Sequence, residues 1–169
     1  VPADDLIVPY SANSLEDAEA IVHVIKMSEN ELRKQQVSGF YRDIDLGQPP
    51  VTSNELEEKE RQLEGVTKNG QEDQYTILEM HVNLDLEGFE DMGADGEETG
   101  IKLPYIVTIA ESNNKILSIR RNYTPDDKFM NKIKYFVQYK FLPGTGFYGF
   151  GLIHMIGGLT RTATAALRQ

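Results

Sequence analysis

Three groups of residues have the types and spacing to do chemistry, and each also has a plainer explanation. The first is Gly144-x-Gly146-x-x-Gly149, which follows a run of alternating apolar residues and precedes a helical stripe. In that context bare glycine amides at a helix N-terminus can hold a pyrophosphate. The acid that would hold the ribose, about 20 residues on, falls beyond Gln169, and no βαβ unit is completed before that point. An aromatic turn feeding a helix explains the same glycines, so a nucleotide-binding enzyme is the alternative function and not the first choice.

The second group is acidic. Residues 85–100 contain Asp85, Glu87, Glu90, Asp91, Asp95, Glu97 and Glu98 and no Lys or Arg. Asp91-x-Gly93-x-Asp95-Gly96 imitates part of a calcium loop, but Gly93 lacks an oxygen-bearing side chain and Lys102 stands where the closing Glu belongs. A solvated hairpin tip is expected. Its functional version is a docking tip for another protein, which makes an acidic adaptor domain the other alternative function.

The third group is basic. Arg120, Arg121, Lys128, Lys132, Lys134 and Lys140 are interleaved with Tyr123, Phe129, Tyr135, Phe136 and Tyr139, a pattern seen in single-strand binders. Against it stand 17 Lys+Arg and 27 Asp+Glu, a net charge of −10, which disfavours affinity resting on many phosphate contacts. A polar sheet face with acid–base contacts is the preferred explanation. The chain has no cysteine, which excludes disulfides, thiolate metal sites and cysteine nucleophiles. His23, His81 and His154 lie too far apart for a metal-binding pair, and no serine sits in a Gly-x-Ser-x-Gly turn. No catalytic, metal or cofactor-binding residue is assigned, no cofactor is expected, and the chain is not expected to be an enzyme.

The elements that position these groups can be read from capping and periodicity. Leu6-Ile7-Val8-Pro9-Tyr10 is a short edge piece limited by Pro9, Ser14 with Asp17 starts a turn, and Ile21-Val22-His23-Val24-Ile25 is a β-branched strand. Ser28-Glu29-Asn30-Glu31 is a capping box flanked by a Met27–Leu32 staple, so a helix should run to about Val37 and leave through Gly39. A second box, Thr52-Ser53-Asn54-Glu55, opens a charged helix ending at Gly65. From Tyr75 the period is two: Thr76, Leu78, Met80, Val82 and Leu84 share one face, and Tyr75, Ile77, Glu79, His81 and Asn83 share the other. Residues 103–110 and 115–123 form two further strands joined at Ser112-Asn113-Asn114, where asparagine tolerates positive φ. A fourth strand is expected over 132–141, with Ile133, Tyr135, Val137, Tyr139 and Phe141 alternating against polar positions. The last helix carries Leu152, Met155, Ile156, Leu159, Ala163, Ala166 and Leu167 on one stripe that needs a partner surface. With 40% apolar residues the core is lean, and the fold class is α+β, antiparallel hairpins flanked by helices.

The run Phe141-Leu142-Pro143-Gly144-Thr145-Gly146-Phe147-Tyr148-Gly149-Phe150-Gly151-Leu152-Ile153-His154-Met155-Ile156-Gly157-Gly158-Leu159 resembles the portal proteins of tailed bacteriophages. The Leu78-Glu79-Met80-His81-Val82 and Leu117-Ser118-Ile119-Arg120-Arg121-Asn122-Tyr123 strands fit the same portal-like β segment. The likeness covers most of this chain and the middle of a portal subunit. A start without Met and a helix running into Gln169 likewise suggest a piece of a longer chain. The resemblance implies a homo-oligomeric ring, usually of twelve copies, at one capsid vertex. Double-stranded DNA passes through it without sequence-specific binding during packaging and ejection. The implied partners are the packaging motor (terminase), head-completion and tail proteins, scaffold or capsid protein, and further copies of the chain, with no membrane. The implied location is the virion, and the host cytoplasm during assembly. Three parts are expected: 1–65, mixed, mainly helical and wing-like; 66–142, an antiparallel clip-like region with the acidic tip; and 143–169, the turn and the start of a long stem- or wing-like helix. Leu152, Met155, Ile156, Leu159, Ala163 and Ala166 are the expected inter-subunit helix contacts.

Overall fold

Alternation of β-branched and aromatic residues produces an antiparallel sheet, seen in a computed structural model that describes residues 1–47, 59, 63, 65, 74–144 and 146–168. The strands are β1 (Leu6–Ile7), β2 (Ala20–Ser28), β3 (Gln74–Leu84), β4 (Leu103–Ala110) and β5 (Lys115–Arg121), lying side by side in chain order. Every neighbouring pair is antiparallel. Asn114 takes φ 54° in the tight β4–β5 turn, where the Asn113 side chain accepts the Lys115 N–H at 3.0 Å. Two helices, α1 (Glu29–Val37) and α2 (Leu152–Arg168), complete an α+β fold.

The capping box forms as its residue types require. Ser28 Oγ accepts the Glu31 N–H at 3.3 Å, and the Glu31 carboxylate accepts the Ser28 N–H at 3.2 Å. Leu32 is thereby turned into the main core with Tyr41, Leu46, Tyr75, Ile77, Ala110 and Leu117, and Met27 packs against the same cluster. Gly39 leaves the helix at φ 77°. Ile77 and Leu117 are 0% exposed, each a burial worth roughly 1.5–3 kcal/mol relative to exposure. The second capping box, Thr52-Ser53-Asn54-Glu55, and most of the helix expected after it lie outside the described residues.

The register sorts the sheet into two faces. On one, Ile25, Ile77 and Ala110 are covered by α1 and the loop after it. Further along that face, Ile21 joins Ala12, Leu15 and Ala18, with Phe136 and Phe147 packed on them. The opposite face buries Leu103, Tyr105 and Val107 in a third cluster, packed by Met80, Val82, Leu84, Leu86, Ile109, Tyr123 and Met130, while Val22, Val24 and Leu78 are half-buried and Ile119 is exposed.

Two expectations need correction. The boundary at 65/66 does not separate structural units, because β1 and β2 from the first part pair into the same sheet as β3–β5. The second correction concerns the fourth strand. Residues 132–141 join no ladder, and 134–141 make no backbone–backbone hydrogen bond among the described residues. The segment instead crosses the covered sheet face as an extended strap held by its even-numbered side chains. Lys134 pairs with Glu16, Phe136 packs on His23 and His81, and Gln138 and Lys140 reach backbone carbonyls. The alternation is real, but the apolar row Ile133, Tyr135, Val137, Tyr139 and Phe141 is the exposed one, at 41% to 93%, with the Tyr135 ring also lying 5.5 Å from that of His81. Periodicity fixes which side chains share a side; tethering of the polar row decided which side is covered.

Candidate functional site

The glycine loop is built by close approaches within itself. The Phe150 N–H donates to the Leu142 carbonyl at 2.9 Å, closing a small antiparallel turn. A Cβ on Gly149 would stand 2.5 Å from the Leu142 oxygen, and one on Gly144 would stand 3.0 Å from the Tyr148 oxygen. These two glycines therefore admit the loop's own carbonyls, the wrong polarity for a phosphate cradle. From the strap, Gln138 Nε2 donates to the Phe147 carbonyl at 2.8 Å and Lys140 Nζ donates to that of Gly146 at 3.2 Å. At the helix entrance Gly151 N–H donates to His154 Nδ1 at 3.2 Å, and the Phe150 ring lies edge-on to that imidazole.

The acidic excursion 85–100 is folded into successive turns. The Glu90 carboxyl is held below the usual range by hydrogen bonds from its own backbone N–H and from the Gly88 N–H, the latter at 2.7 Å, and Thr99 Oγ1 donates to Asp91 at 2.6 Å. Met92 and Glu98 form an isolated antiparallel bridge. Among the described residues, no group of three or more His, Asp or Glu could hold a metal ion. Beside the carboxylates the excursion exposes Phe89 and Met92, with Ile101 just after it.

The basic group is drawn into intrachain contacts. Lys132 Nζ donates to the carbonyls of Glu16 and Ala18 at 3.2 and 3.3 Å, Lys134 pairs with the Glu16 carboxylate, and Lys140 Nζ donates to the Asn13 carbonyl at 3.2 Å. Arg120 reaches the Glu79 carboxylate at 3.5 Å while its guanidinium lies 4.2 Å over the Phe40 ring. An extended cationic track for a single strand is absent from this arrangement; the lysines hold the strap down.

Sequence reasoning missed a polar seam between the two covered core clusters. Glu79 and His81 point the same way from β3, and the register places His23 beside Glu79. His81 Nε2 lies 3.2 Å from a Glu79 oxygen, so Nε2 carries the hydrogen. This hydrogen bond, opposed by burial and aided by the charge of Arg120, holds the Glu79 carboxyl below the usual range. The signal was present in the alternation, which puts Glu79 and His81 on the same face as Ile77; the cross-strand partner was not. Above the seam the strap roofs a cavity of about 320 Å³ lined by Leu15, Ile21, His81, Asn122, Lys132 and Phe136.

The helix α2 buries none of its residues. Its apolar side chains Leu152, Ile153, Met155, Ile156, Leu159 and Leu167 are 45% to 89% exposed, and Ala163 and Ala166 are exposed on the same stripe. Thr160, Thr162 and Thr164 return their hydroxyls to carbonyls four residues back, at 2.8 to 3.1 Å. Gly157 lies in a shallow groove beside Ile153, Ile156 and Arg161. Among the described residues, no other helix or strand packs against this stripe. Among the described residues, no helix is long and apolar enough to cross a membrane. No protein family matches the chain, and no curated protein matches it.

Proposed function

We propose that this chain is the middle part of a portal subunit of a tailed bacteriophage, a structural and non-enzymatic member of a closed ring at the capsid vertex. The observation that carries this reading is α2, a 17-residue helix whose entire apolar stripe is uncovered. A chain that leaves such a stripe open needs neighbours, and heterologous contacts that close supply them equally to every copy. The half-buried Val22, Val24 and Leu78 with the exposed Ile119 on the second sheet face, and the outward row of the strap, are further surfaces of the same kind. The sequence of residues 141–159 adds the resemblance that names the assembly. A net charge of −10 suits a conduit from which phosphates must slide free. In this reading DNA is packaged and ejected through the ring, the packaging motor docks during filling, and head-completion and tail proteins follow it. The helix then packs against adjoining copies in the stem or wing.

The test is the mass distribution of the full-length protein by mass photometry, with class averages by electron microscopy. Rings near twelvefold are expected, and Leu159→Glu in the uncovered stripe should shift the distribution to small species. A full-length protein that stays monomeric across concentration and salt overturns the proposal.

A further inference from the structure

Residues 134–141 combine three properties that seldom coincide on a surface without a partner. They are extended, their backbone makes no backbone–backbone hydrogen bond among the described residues, and their outward side chains are apolar. An edge of this kind is a template for association unless charges or a cover blunt it. Of the lysines that could guard it, Lys140 is engaged by the carbonyls of Asn13 and Gly146, and Lys134 is paired with Glu16 while its side chain stays 64% exposed. Because alternate side chains already fix the strap, accepting a partner requires little further ordering.

We infer that the strap 134–141 receives the acidic excursion 85–101 of a second copy of this chain. Charge selects this occupant. From residue 128 onward the chain has Lys128, Lys132, Lys134, Lys140, Arg161 and Arg168 and no Asp or Glu, a net charge of +6; the total of −10 leaves −16 for residues 1–127. Within that acidic part the excursion concentrates seven carboxylates without a cation. It also exposes Phe89, Met92 and Ile101, apolar counterparts for Tyr135, Val137 and Tyr139. The bare N–H groups of the strap meet carboxylate and carbonyl acceptors there, and charge-assisted bonds of that kind are the stronger ones. Each copy offers both surfaces at different places, so the contact runs head to tail and is heterologous. The inference rests on the ring reading for its need of neighbours, yet it fails by a separate observation.

The experiment compares Val137→Glu with Val137→Lys in the full-length protein, using sedimentation velocity across a concentration series. Val137 is 72% exposed, so both variants keep the monomer fold, checked by far-UV circular dichroism and thermal melting. Both lose the same apolar contact, and only the sign of the charge differs. Val137→Glu should weaken association at least tenfold more than Val137→Lys, with the gap narrowing as salt rises past roughly 0.15 M. Glu97→Lys/Glu98→Lys copies mixed with Val137→Glu copies should recover association. Tyr139→Glu, at a 93% exposed position, repeats the test if Val137→Glu fails to fold. Equal weakening by both substitutions, with rings still formed by the parent, overturns the acidic occupant and leaves the ring reading standing. A parent protein that never associates overturns both.

Discussion

The sheet with its α1 cover and the C-terminal stretch from the strap through α2 are built from similar apolar residues and dispose of them in opposite ways. Ile77 in β3 has no exposed surface, while Leu159 in α2 is 73% exposed. The sheet can close its own core because β2–β5 offer long-range partners for every ladder and α1 caps one face. Among the described residues, the outward row of the strap and the stripe of α2 have no such cover. On the ring proposal, stability of the folded unit and capacity to assemble fall in separate stretches, and substitutions should separate them.

The sharpest test of that separation is Ile77→Ala against Leu159→Ala. Removing the Ile77 side chain leaves a cavity where β2, β4 and the α1 cover meet, and about 2–5 kcal/mol of unfolding free energy should be lost. Leu159→Ala should leave the denaturant midpoint of the unassociated protein unchanged and weaken assembly only. A large loss of monomer stability from Leu159→Ala would erase the contrast. Ser28→Ala is expected to act inside the sheet region at a smaller scale. It removes one half of a reciprocal cap and should cost about 1 kcal/mol, read as a lowered denaturant midpoint, with assembly at equal folded fraction unchanged.

The smallest expected effect concerns acid. Glu79 is held below its ordinary value of 4.5 in the folded protein, first by the hydrogen bond from His81. A depressed carboxyl contributes stability that is fully present above its unfolded value and is lost as pH falls through the folded value. The thermal midpoint should therefore decline below about pH 4.5, and Glu79→Gln should make that acid limb shallower while lowering the midpoint at neutral pH. An unchanged acid limb in the variant would remove Glu79 from the account.

Much of the sheet was legible from residue types. The Ser28–Glu31 box, the alternation from Tyr75 and the paired asparagines at 113 and 114 each specify local geometry, and α1, β3 and the β4–β5 turn follow them. The α2 stripe was equally clear, because helical spacing is a local property. What local patterns do not contain is the identity of a partner. Alternation over 132–141 implied a strand, but pairing depends on which edge is within reach, and Lys134, Gln138 and Lys140 hold this segment across the covered face and not in a ladder. Glu79, His81 and Arg120 were visible as residues and not as a cluster, since their meeting depends on register across three strands. The glycines at 144 and 149 were read as loop glycines, while their specific task, admitting the carbonyls of Tyr148 and Leu142, came only with the backbone path.

The close approach at Gly149 has a mechanical consequence. With the Leu142 oxygen pressed where a Cβ would be, and Gln138 and Lys140 bracing the bend, the shaft of α2 is mounted on a stiff knuckle. A continuous path of contacts thus runs from the root of that shaft into the strap and, through the Phe136 ring packed against His23 and His81, into the middle of the sheet.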